Sequence, residues 1–277
     1  MVTCELQHLE MQGRDRIMVG FVKLCLWSFR FAVGACIFSF LNVVIYRLPA
    51  GESMVKGRSH CMTCGKILGA KELIPCISYL MQRGRCAGCK SKISSRYFWV
   101  EMLGGLLFVH CGDVYGCGAS GLLSIEGLIA FGYMCILAVI AFIDWDTKII
   151  YDRFHVMIFI LGFVSMWLYP QIRLTERLIG AVVIALPMFL MALFIEGAFG
   201  GGDIKLMAAS GFLLGVKGIV CGMFLGILTG GIYCIGMVLL HKLDKKASFA
   251  FGPFLAVGLA VAYFYGETMV NAYLSLL

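Results

Sequence analysis

The sequence predicts an all-α, polytopic integral membrane protein that carries a small metal-binding loop domain. Of its 277 residues, 61% are hydrophobic and only 14% are charged, whereas a soluble domain carries nearer a quarter charged residues. Several apolar stretches approach the ~20 residues that a helix needs to cross a hydrocarbon core roughly 30 Å thick. A polar, basic stretch over residues 47–96 interrupts these stretches and contains two Cys-x-x-Cys pairs.

Eight apolar segments are candidate membrane helices. They are Leu24–Tyr46, Tyr97–Val109, Leu122–Ile143, Phe154–Tyr169, Leu178–Ile195, Ile204–Leu214, Ile219–Leu240 and Phe249–Leu274. The sixth is too short to span alone, so we expect it to be re-entrant or to start within the membrane. The expected domains are an N-terminal tail (1–23), a first transmembrane helix (24–46), a cytoplasmic zinc-binding loop (47–96) and a membrane-embedded core (97–277). A cleaved signal peptide is not expected, because the first apolar run is too long for an h-region.

The distribution of Lys and Arg predicts the orientation in the membrane. If the N-terminus is outside and all eight segments cross, the inside loops 47–96, 144–153, 196–205 and 241–248 hold sixteen of the 23 basic residues. The outside positions hold Arg14, Arg16, Lys23, Arg173, Arg177 and Lys217, and Arg30 lies within the first helix. Excess basic charge marks the cytoplasmic side. The formal charge of +7 therefore reports topology, and no nucleic-acid partner is expected.

The two Cys-x-x-Cys pairs predict a metal site. Cys61 and Cys64 form one knuckle, and Cys86 and Cys89 form a second knuckle after 21 intervening residues. Two knuckles complete a tetrahedral S₄ site, which leaves no open position and is therefore structural. Thiolates select zinc, although iron uses the same ligand set. Two unrelated pairs or disulfides are the alternative, and a reducing cytoplasm disfavours disulfides.

Two smaller expectations concern the same chemistry. Gly65 and Gly88 suit the tight turns of the two knuckles. Cys111 and Cys117 would pair only if their loop is extracytoplasmic, and the sequence leaves that pairing open.

Two acidic clusters lie at the ends of apolar segments. Asp144 and Asp146 close one segment, and Asp203 follows Gly200-Gly-Gly between two others. Acidic residues at membrane depth are costly and indicate function. Two carboxylates brought close share a proton, so that one activates water while the other donates to a peptide carbonyl.

The residues alone leave two further interpretations open. Asp144 and Asp203 could form a proton or ion relay in a transporter, or all the acids could be interfacial loop residues. The loop role is favoured for Asp146, and a loop or helix N-cap role for Asp152. Glu101 and Asp146 could also attract a basic substrate, or have a solvated or capping role.

The chain resembles the bacterial type IV prepilin peptidases, also called leader peptidase/N-methyltransferases, over roughly residues 39–254. The matching pieces occur in order: Ser39-Phe-Leu-Asn42 through Tyr46-Arg47-Leu-Pro49, the double knuckle, Leu73-Ile-Pro75, Ser78-Tyr-Leu80, Arg83-Gly-Arg85-Cys86, Tyr97 to Glu101, Phe142-Ile-Asp144, Gly200-x-Gly202-Asp203-Ile-Lys205-Leu206 and Phe251-Gly-Pro253-Phe254. The resemblance implies a G-x-G-D aspartic protease of the bacterial inner membrane, with its active site facing the cytoplasm. Such enzymes remove a short basic leader from prepilins or pseudopilins after a glycine. Many also methylate the new N-terminal residue with S-adenosylmethionine.

The resemblance also implies roles for particular residues. The catalytic aspartates fall on Asp144 and Asp203, and the double knuckle is the metal site associated with bifunctional members. Prepilins or pseudopilins and membrane lipid are the expected partners, with structural zinc and S-adenosylmethionine as methyl donor. A transporter and a membrane-anchored zinc-ribbon adaptor are the competing interpretations, and neither explains the ordered match.

Three departures from the family pattern stand out. Phe38 replaces a usual glycine in the first helix, which is expected to alter its packing. Tyr151 replaces the usual proline before Asp152, so the turn after Asp144 is expected to be less rigid. The tail before Leu24 is longer than is typical.

Overall fold

The computed structural model describes residues 2–116, 124–168, 170, 172–195, 197–240 and 250–276, with side chains from residue 18 onward. Its helices are α1 (Val2–Arg47), α2 (Ile77–Met81), α3 (Ser95–Tyr115), α4 (Ile125–Thr147), α5 (Asp152–Leu168), α6 (Leu174–Val183), α7 (Ala185–Phe194), α8 (Gly201–Leu239) and α9 (Gly252–Leu274). Within these described ranges β structure is limited to isolated bridges, which include His60 with Ile67 and Arg85 with Lys92. The predicted all-α class is confirmed. Cys117 lies outside the described residues.

In the part of the chain that the structure describes, five helical stretches are long and apolar enough to cross a membrane. They are Met18–Arg47, Ile125–Thr147, Leu174–Phe194, Gly201–Leu239 and Gly252–Leu274. The predicted segments at residues 97–109 and 154–168 are also helical, within α3 and α5, but do not belong to this set. The protein is therefore a multi-pass membrane protein, and the count of eight crossings stays a prediction.

The chain divides into two compact units, of which the first comprises residues 1–43 and 53–127. Within it, α1 and α3 approach closely through glycines, because a Cβ at Gly104 would collide with Phe38 and a Cβ at Gly105 with Phe31. Phe38 is fully buried. The departure at Phe38 is therefore accommodated, since Gly104 leaves the space that its ring occupies.

A charged pair also joins α1 to α3. The guanidinium of Arg30 lies 3.0 Å from the Asp113 carboxylate, and the indole N–H of Trp27 donates to the same oxygen at 3.0 Å. A Cβ at Gly112 would lie 2.5 Å from the guanidinium carbon, so this glycine makes room for the arginine. Arg30 is thus an ion-paired residue of α1.

The second unit comprises residues 44–52 and 128–277 and is organised around α8, which packs against α5, α6, α7 and α9. At Gly215 the backbone of α8 leaves the helical conformation, with φ 73° and ψ −176°. Positive φ favours glycine. This break separates the two apolar segments that the sequence predicts as distinct. Nearby, Gly180 of α6 and Gly211 of α8 are in direct backbone contact.

The side chain of Arg177 satisfies backbone carbonyls that the break in α8 leaves without helical partners. Its side chain is fully buried and donates to the Ser165 hydroxyl at 2.9 Å and to the carbonyls of Phe212 and Leu213 at 3.2 Å. Carbonyls at a helix end need partners other than helical N–H groups, and a cation is favoured there by the helix dipole. The assignment of Arg177 to an outside loop is therefore wrong, because the charge count uses sequence position alone.

Candidate active site and metal centre

The four cysteines of the double knuckle converge on one point. The sulfur atoms of Cys61, Cys64, Cys86 and Cys89 all lie within 4.8 Å of one another, and those of Cys61 and Cys89 are 3.8 Å apart. Zinc–sulfur bonds of about 2.3 Å in a tetrahedron place the sulfur atoms about 3.8 Å apart. The donor set and its spacing therefore fit a structural zinc ion.

The two knuckles repeat one backbone arrangement. In each, the first cysteine donates its N–H to the carbonyl five residues on, and the residue four positions on donates back to the cysteine carbonyl. These bonds are Cys61 to Lys66 (2.9 Å), Gly65 to Cys61 (2.9 Å), Cys86 to Ser91 (2.9 Å) and Lys90 to Cys86 (3.0 Å). The same arrangement from two separate stretches of sequence is what brings two thiols to a shared point.

The left-handed position of each knuckle follows its second cysteine. It is occupied by Gly65 (φ 69°) in the first knuckle and by Lys90 (φ 61°) in the second. The expectation for Gly65 is confirmed. Gly88 has no such φ and instead allows a close approach, because a Cβ there would lie 3.1 Å from Cδ of Lys66.

Hydrogen bonds favour the thiolate form of two of the four cysteines, Cys61 and Cys89. The backbone N–H groups of Cys64 and Thr63, followed by the Ser91 hydroxyl, lower the pKa of Cys61 to about 5. The Ser91 hydroxyl, 3.0 Å from the sulfur of Cys89, is also the main cause of a lowered pKa for Cys89. Thiolates are the metal-binding form of cysteine. For Cys64, the backbone N–H of Lys66 lowers the pKa, but the neighbouring sulfur of Cys89 and burial raise it to about 11.

Glu101 stabilises the backbone just before α2. Its side chain accepts the backbone N–H of Cys76 at 2.7 Å, and the residue is only 9% exposed. Cys76 precedes α2 in a strained conformation with φ 59° and ψ −48°. A carboxylate occupied in this way suits the capping role rather than attraction of a basic substrate.

Asp144 lies in the last turns of α4 and is held by α9. It is 6% exposed, and its Oδ2 accepts the backbone N–H of Gly252 at 3.0 Å. A Cβ at position 252 would lie 2.7 Å from that oxygen. The glycine at the start of α9 is therefore required for this contact, and Pro253 follows it at a position where a helix tolerates proline.

Asp203 lies in the first turn of α8, close to Asp144. The two carboxylates interact electrostatically, so the structure brings together the two acids that the sequence singles out. Oδ1 of Asp203 is buried and has no hydrogen-bond partner among the described residues. The other oxygen lies 3.1 Å from where a Cβ at Gly200 would be, which explains the glycine preceding the helix. A carboxylate pair with one uncommitted oxygen has the groups that acid–base hydrolysis needs.

The other two acids near Asp144 differ from each other. Asp146 is exposed but lies in the last turn of α4, so the loop prediction is wrong for it. Asp152 begins α5, and its carboxylate is ion-paired with Lys205 at 2.7 Å and lies 3.5 Å from Nδ1 of His155. The N-cap prediction therefore misses the role of Asp152. Lys205 and His155 are absent from the predicted site, although Lys205 belongs to the same motif as Asp203.

The chain matches two family descriptions. Residues 32–113 match the bacterial peptidase A24 N-terminal domain, and residues 131–235 match the type IV leader peptidase family. The first match contains all four knuckle cysteines, and the second contains both Asp144 and Asp203. No solved structure matches the chain.

Curated relatives agree with these matches. A prepilin leader peptidase/N-methyltransferase of Bacillus subtilis is 32% identical over 251 residues, which cover 90% of this chain and 98% of the relative. Proteins with the same name from Neisseria gonorrhoeae and Aeromonas hydrophila are 32% and 30% identical, with 85% and 94% of their lengths covered. The chain belongs to the type IV leader peptidase family.

Proposed function

We propose that the protein is a membrane-embedded aspartic endopeptidase that removes the basic leader from type IV prepilins or pseudopilins. We further propose that it methylates the new N-terminal residue. The observation that carries the peptidase proposal is the pair of neighbouring carboxylates, Asp144, which is buried, and Asp203, whose Oδ1 is buried, in a member of this family. The relatives' names give both activities.

In the proposed hydrolysis, Asp144 and Asp203 share one proton, because two adjacent carboxylates do not ionise together readily. The ionised member takes a proton from water, whose oxygen forms a bond with the scissile carbonyl carbon. The protonated member donates to the carbonyl oxygen, which gives a tetrahedral intermediate. Proton return to the leaving nitrogen accompanies cleavage of the C–N bond. The products are the leader's carboxylate end and a free amine on the mature protein.

The free amine is the acceptor in the proposed methylation. S-adenosylmethionine is the second substrate, and the amine nitrogen bonds to its methyl carbon while the sulfur–methyl bond breaks. The amine loses one proton, and S-adenosylhomocysteine leaves. Structural zinc held by Cys61, Cys64, Cys86 and Cys89 would supply folding energy to the loop 47–96 rather than chemistry.

We place the enzyme in the bacterial inner membrane with eight crossings and with its active site facing the cytoplasm. Sixteen of the 23 basic residues fall in the loops that this arrangement puts inside. The loop 47–96 then forms the cytoplasmic zinc domain and 97–277 the peptidase core. The transporter interpretation is not supported, because both the family and the named relatives are peptidases.

The test is incubation of the purified protein with a prepilin and labelled S-adenosylmethionine. The wild type should remove the leader and transfer the label to the mature protein. Asp203→Asn should neither remove the leader nor label the unprocessed substrate. A wild-type protein that leaves the leader intact would overturn the peptidase proposal. Cleavage without label would restrict the proposal to the peptidase activity.

A further inference from the structure

An ion pair links the first turn of α8 to the start of α5. The Nζ of Lys205 lies 2.7 Å from Oδ1 of Asp152, which is 53 residues earlier in the sequence. Lys205 follows Asp203 by two positions in the same helical turn. Because successive helical residues are rotated by about 100°, the two side chains project to opposite sides of α8. Lys205 therefore anchors one side of this helical turn to Asp152, while Asp203 projects from the opposite side toward Asp144.

A second contact joins the same two segments. A Cβ at Gly202 would lie 2.9 Å from Cβ of Ile150. The glycine is therefore in close contact with the connection between α4 and α5, residues 148–151. That connection starts at Lys148, which takes φ 56° and donates its N–H to the carbonyl of Asp144 at 2.8 Å. The connection is thus hydrogen-bonded at its start to one candidate catalytic residue, Asp144, and contacts the turn that carries the other, Asp203.

The ion pair is exposed to solvent, so it is not part of the buried core that stabilises the fold. The side chains of Asp152 and Lys205 are 71% and 57% exposed, and exposed pairs contribute little to overall stability. Beside them, His155 is 6% exposed, and its ring nitrogens have no hydrogen-bond partner among the described residues. The pair and this histidine border an open cleft with the apolar side chains of Val156 and Phe159.

We propose that Lys205 is a positioning residue for Asp203, which acts by anchoring the first turn of α8 to Asp152. This role rests on the proposed peptidase function. The anchor fixes the turn on the side away from the reaction, so Asp203 keeps its place relative to Asp144. The contacts that Ile150 and Asp152 make with this turn hold it against the connection between α4 and α5.

The experiment compares cleavage kinetics of purified variants with prepilin as substrate. Lys205→Met and Asp152→Asn remove the pair, Lys205→Arg keeps it, and the double variant Lys205→Asp/Asp152→Lys reverses it. Lys217→Met is the matched control, because Lys217 also lies on α8 and donates to a side chain of a neighbouring helix, Asn271, at 3.1 Å. Zinc content and the amount of folded protein are measured for each variant.

We expect Lys205→Met to lower kcat roughly 3–5-fold, because an exposed pair contributes only a small free energy to holding the turn in place. KM should change by less than about twofold, since no substrate contact is removed. Lys205→Arg should recover most of kcat, and the reversed pair should exceed the weaker single variant. Lys217→Met should keep the wild-type kcat.

Three results would overturn the positioning role. They are a near wild-type kcat for Lys205→Met, a reversed pair no more active than the weaker single variant, and a loss of protein abundance with no loss of kcat. Asp152→Asn supplies the same test if Lys205→Met does not accumulate. A wild type that cleaves no prepilin overturns the proposed function itself, whereas an active wild type beside an equally active Lys205→Met overturns the positioning role alone.

Discussion

Asp144 of α4 and Gly252 of α9 are joined by a hydrogen bond of 3.0 Å between residues 108 apart in sequence. The bond runs from a backbone N–H at the start of α9 to a carboxylate oxygen. The Phe-Gly-Pro-Phe stretch at residues 251–254 thereby acquires a role at the candidate active site. Its glycine supplies a donor without the Cβ that would displace the acid.

Gly252→Ala should therefore lower leader cleavage. The added Cβ would lie 2.7 Å from Oδ2 of Asp144, so the carboxylate or the helix must shift. A displacement of this kind is expected to reduce kcat by on the order of 10²-fold. The measurement is the cleavage rate per folded molecule. Gly231→Ala is the control, because nothing lies within 4 Å of a Cβ at that position of α8, and an equal loss in both variants would contradict the specific role of Gly252.

Local patterns in the sequence predict the composition of both sites. Cys-x-x-Cys spacing alone predicts the knuckles, because each is a turn whose hydrogen bonds are made within seven residues. The cost of acids at membrane depth draws attention to the two acidic clusters, and the family resemblance assigns the catalytic roles within them to Asp144 and Asp203. The break at Gly215 agrees with the division of the apolar stretch into two segments.

Contacts between distant helices are what the sequence does not reveal. The pair of Lys205 and Asp152 depends on how α5 packs against α8, and no local pattern encodes that packing. Arg177 is misplaced for the same reason, because its partners are carbonyls freed by a break in another helix. The hydrogen bond from Gly252 to Asp144 likewise requires the fold.

Ser91→Ala should make zinc binding more sensitive to acid. The Ser91 hydroxyl helps to lower the pKa values of Cys89 and Cys61, so its removal raises both toward the usual thiol range. Protons then compete with zinc at higher pH, and the pH of half-release should move upward. Removal of such a supporting hydrogen bond typically lowers metal affinity about 10–100-fold.

Zinc content measured against pH with a chromogenic chelator tests this. Cys61→Ser removes a ligand and should bind little zinc at any pH, while Cys25→Ser, at an exposed free cysteine of α1, should match the wild type. We also expect Cys61→Ser to impair methylation more than cleavage, because the aspartates lie on other segments. An unchanged release curve for Ser91→Ala would contradict the role given to its hydroxyl.

Arg177→Met should destabilise the second unit. The change leaves the carbonyls of Phe212 and Leu213 and the Ser165 hydroxyl without a buried donor. Each buried group left unpaired costs about 1–3 kcal/mol. The midpoint of thermal unfolding in detergent should therefore fall clearly, while Arg173→Met, at an exposed position before α6, should leave it nearly unchanged. Equal midpoints for the two variants would refute the bracing role of Arg177.

Reporter fusions should place positions near Arg58 and Lys245 in the cytoplasm and positions near Gly118 outside. The expectation follows from the sixteen basic residues that eight crossings place on the inside. Reporters that require a reducing or an oxidising compartment give opposite signals on the two sides, so each fusion is made with both kinds. A fusion at Lys245 that lies on the opposite side from Arg58 would exclude the eight-crossing topology.

Asp144→Asn and Asp203→Asn should each abolish leader cleavage. Asparagine keeps the size and much of the hydrogen bonding of aspartate but cannot exchange the proton that hydrolysis requires. Acid–base assistance is typically worth about 10²–10⁴-fold per group, and residues that act as a unit are not additive. Each single variant should therefore be nearly as inactive as the double variant, while it still inserts and binds zinc.

Asp146→Asn is the matched control for the aspartate pair, because Asp146 is an exposed acid two residues from Asp144. It should retain most activity at equal membrane abundance, as followed by the gel shift that accompanies leader removal. A pilin cleaved beforehand should still be methylated by Asp203→Asn, since methyl transfer to a free amine does not require hydrolysis. If either Asp144→Asn or Asp203→Asn cleaves at a near wild-type rate, the pair is not the catalytic centre. The buried, uncommitted oxygen of Asp203 would then require a different explanation, with proton or ion transfer the first to examine by flux measurements in vesicles.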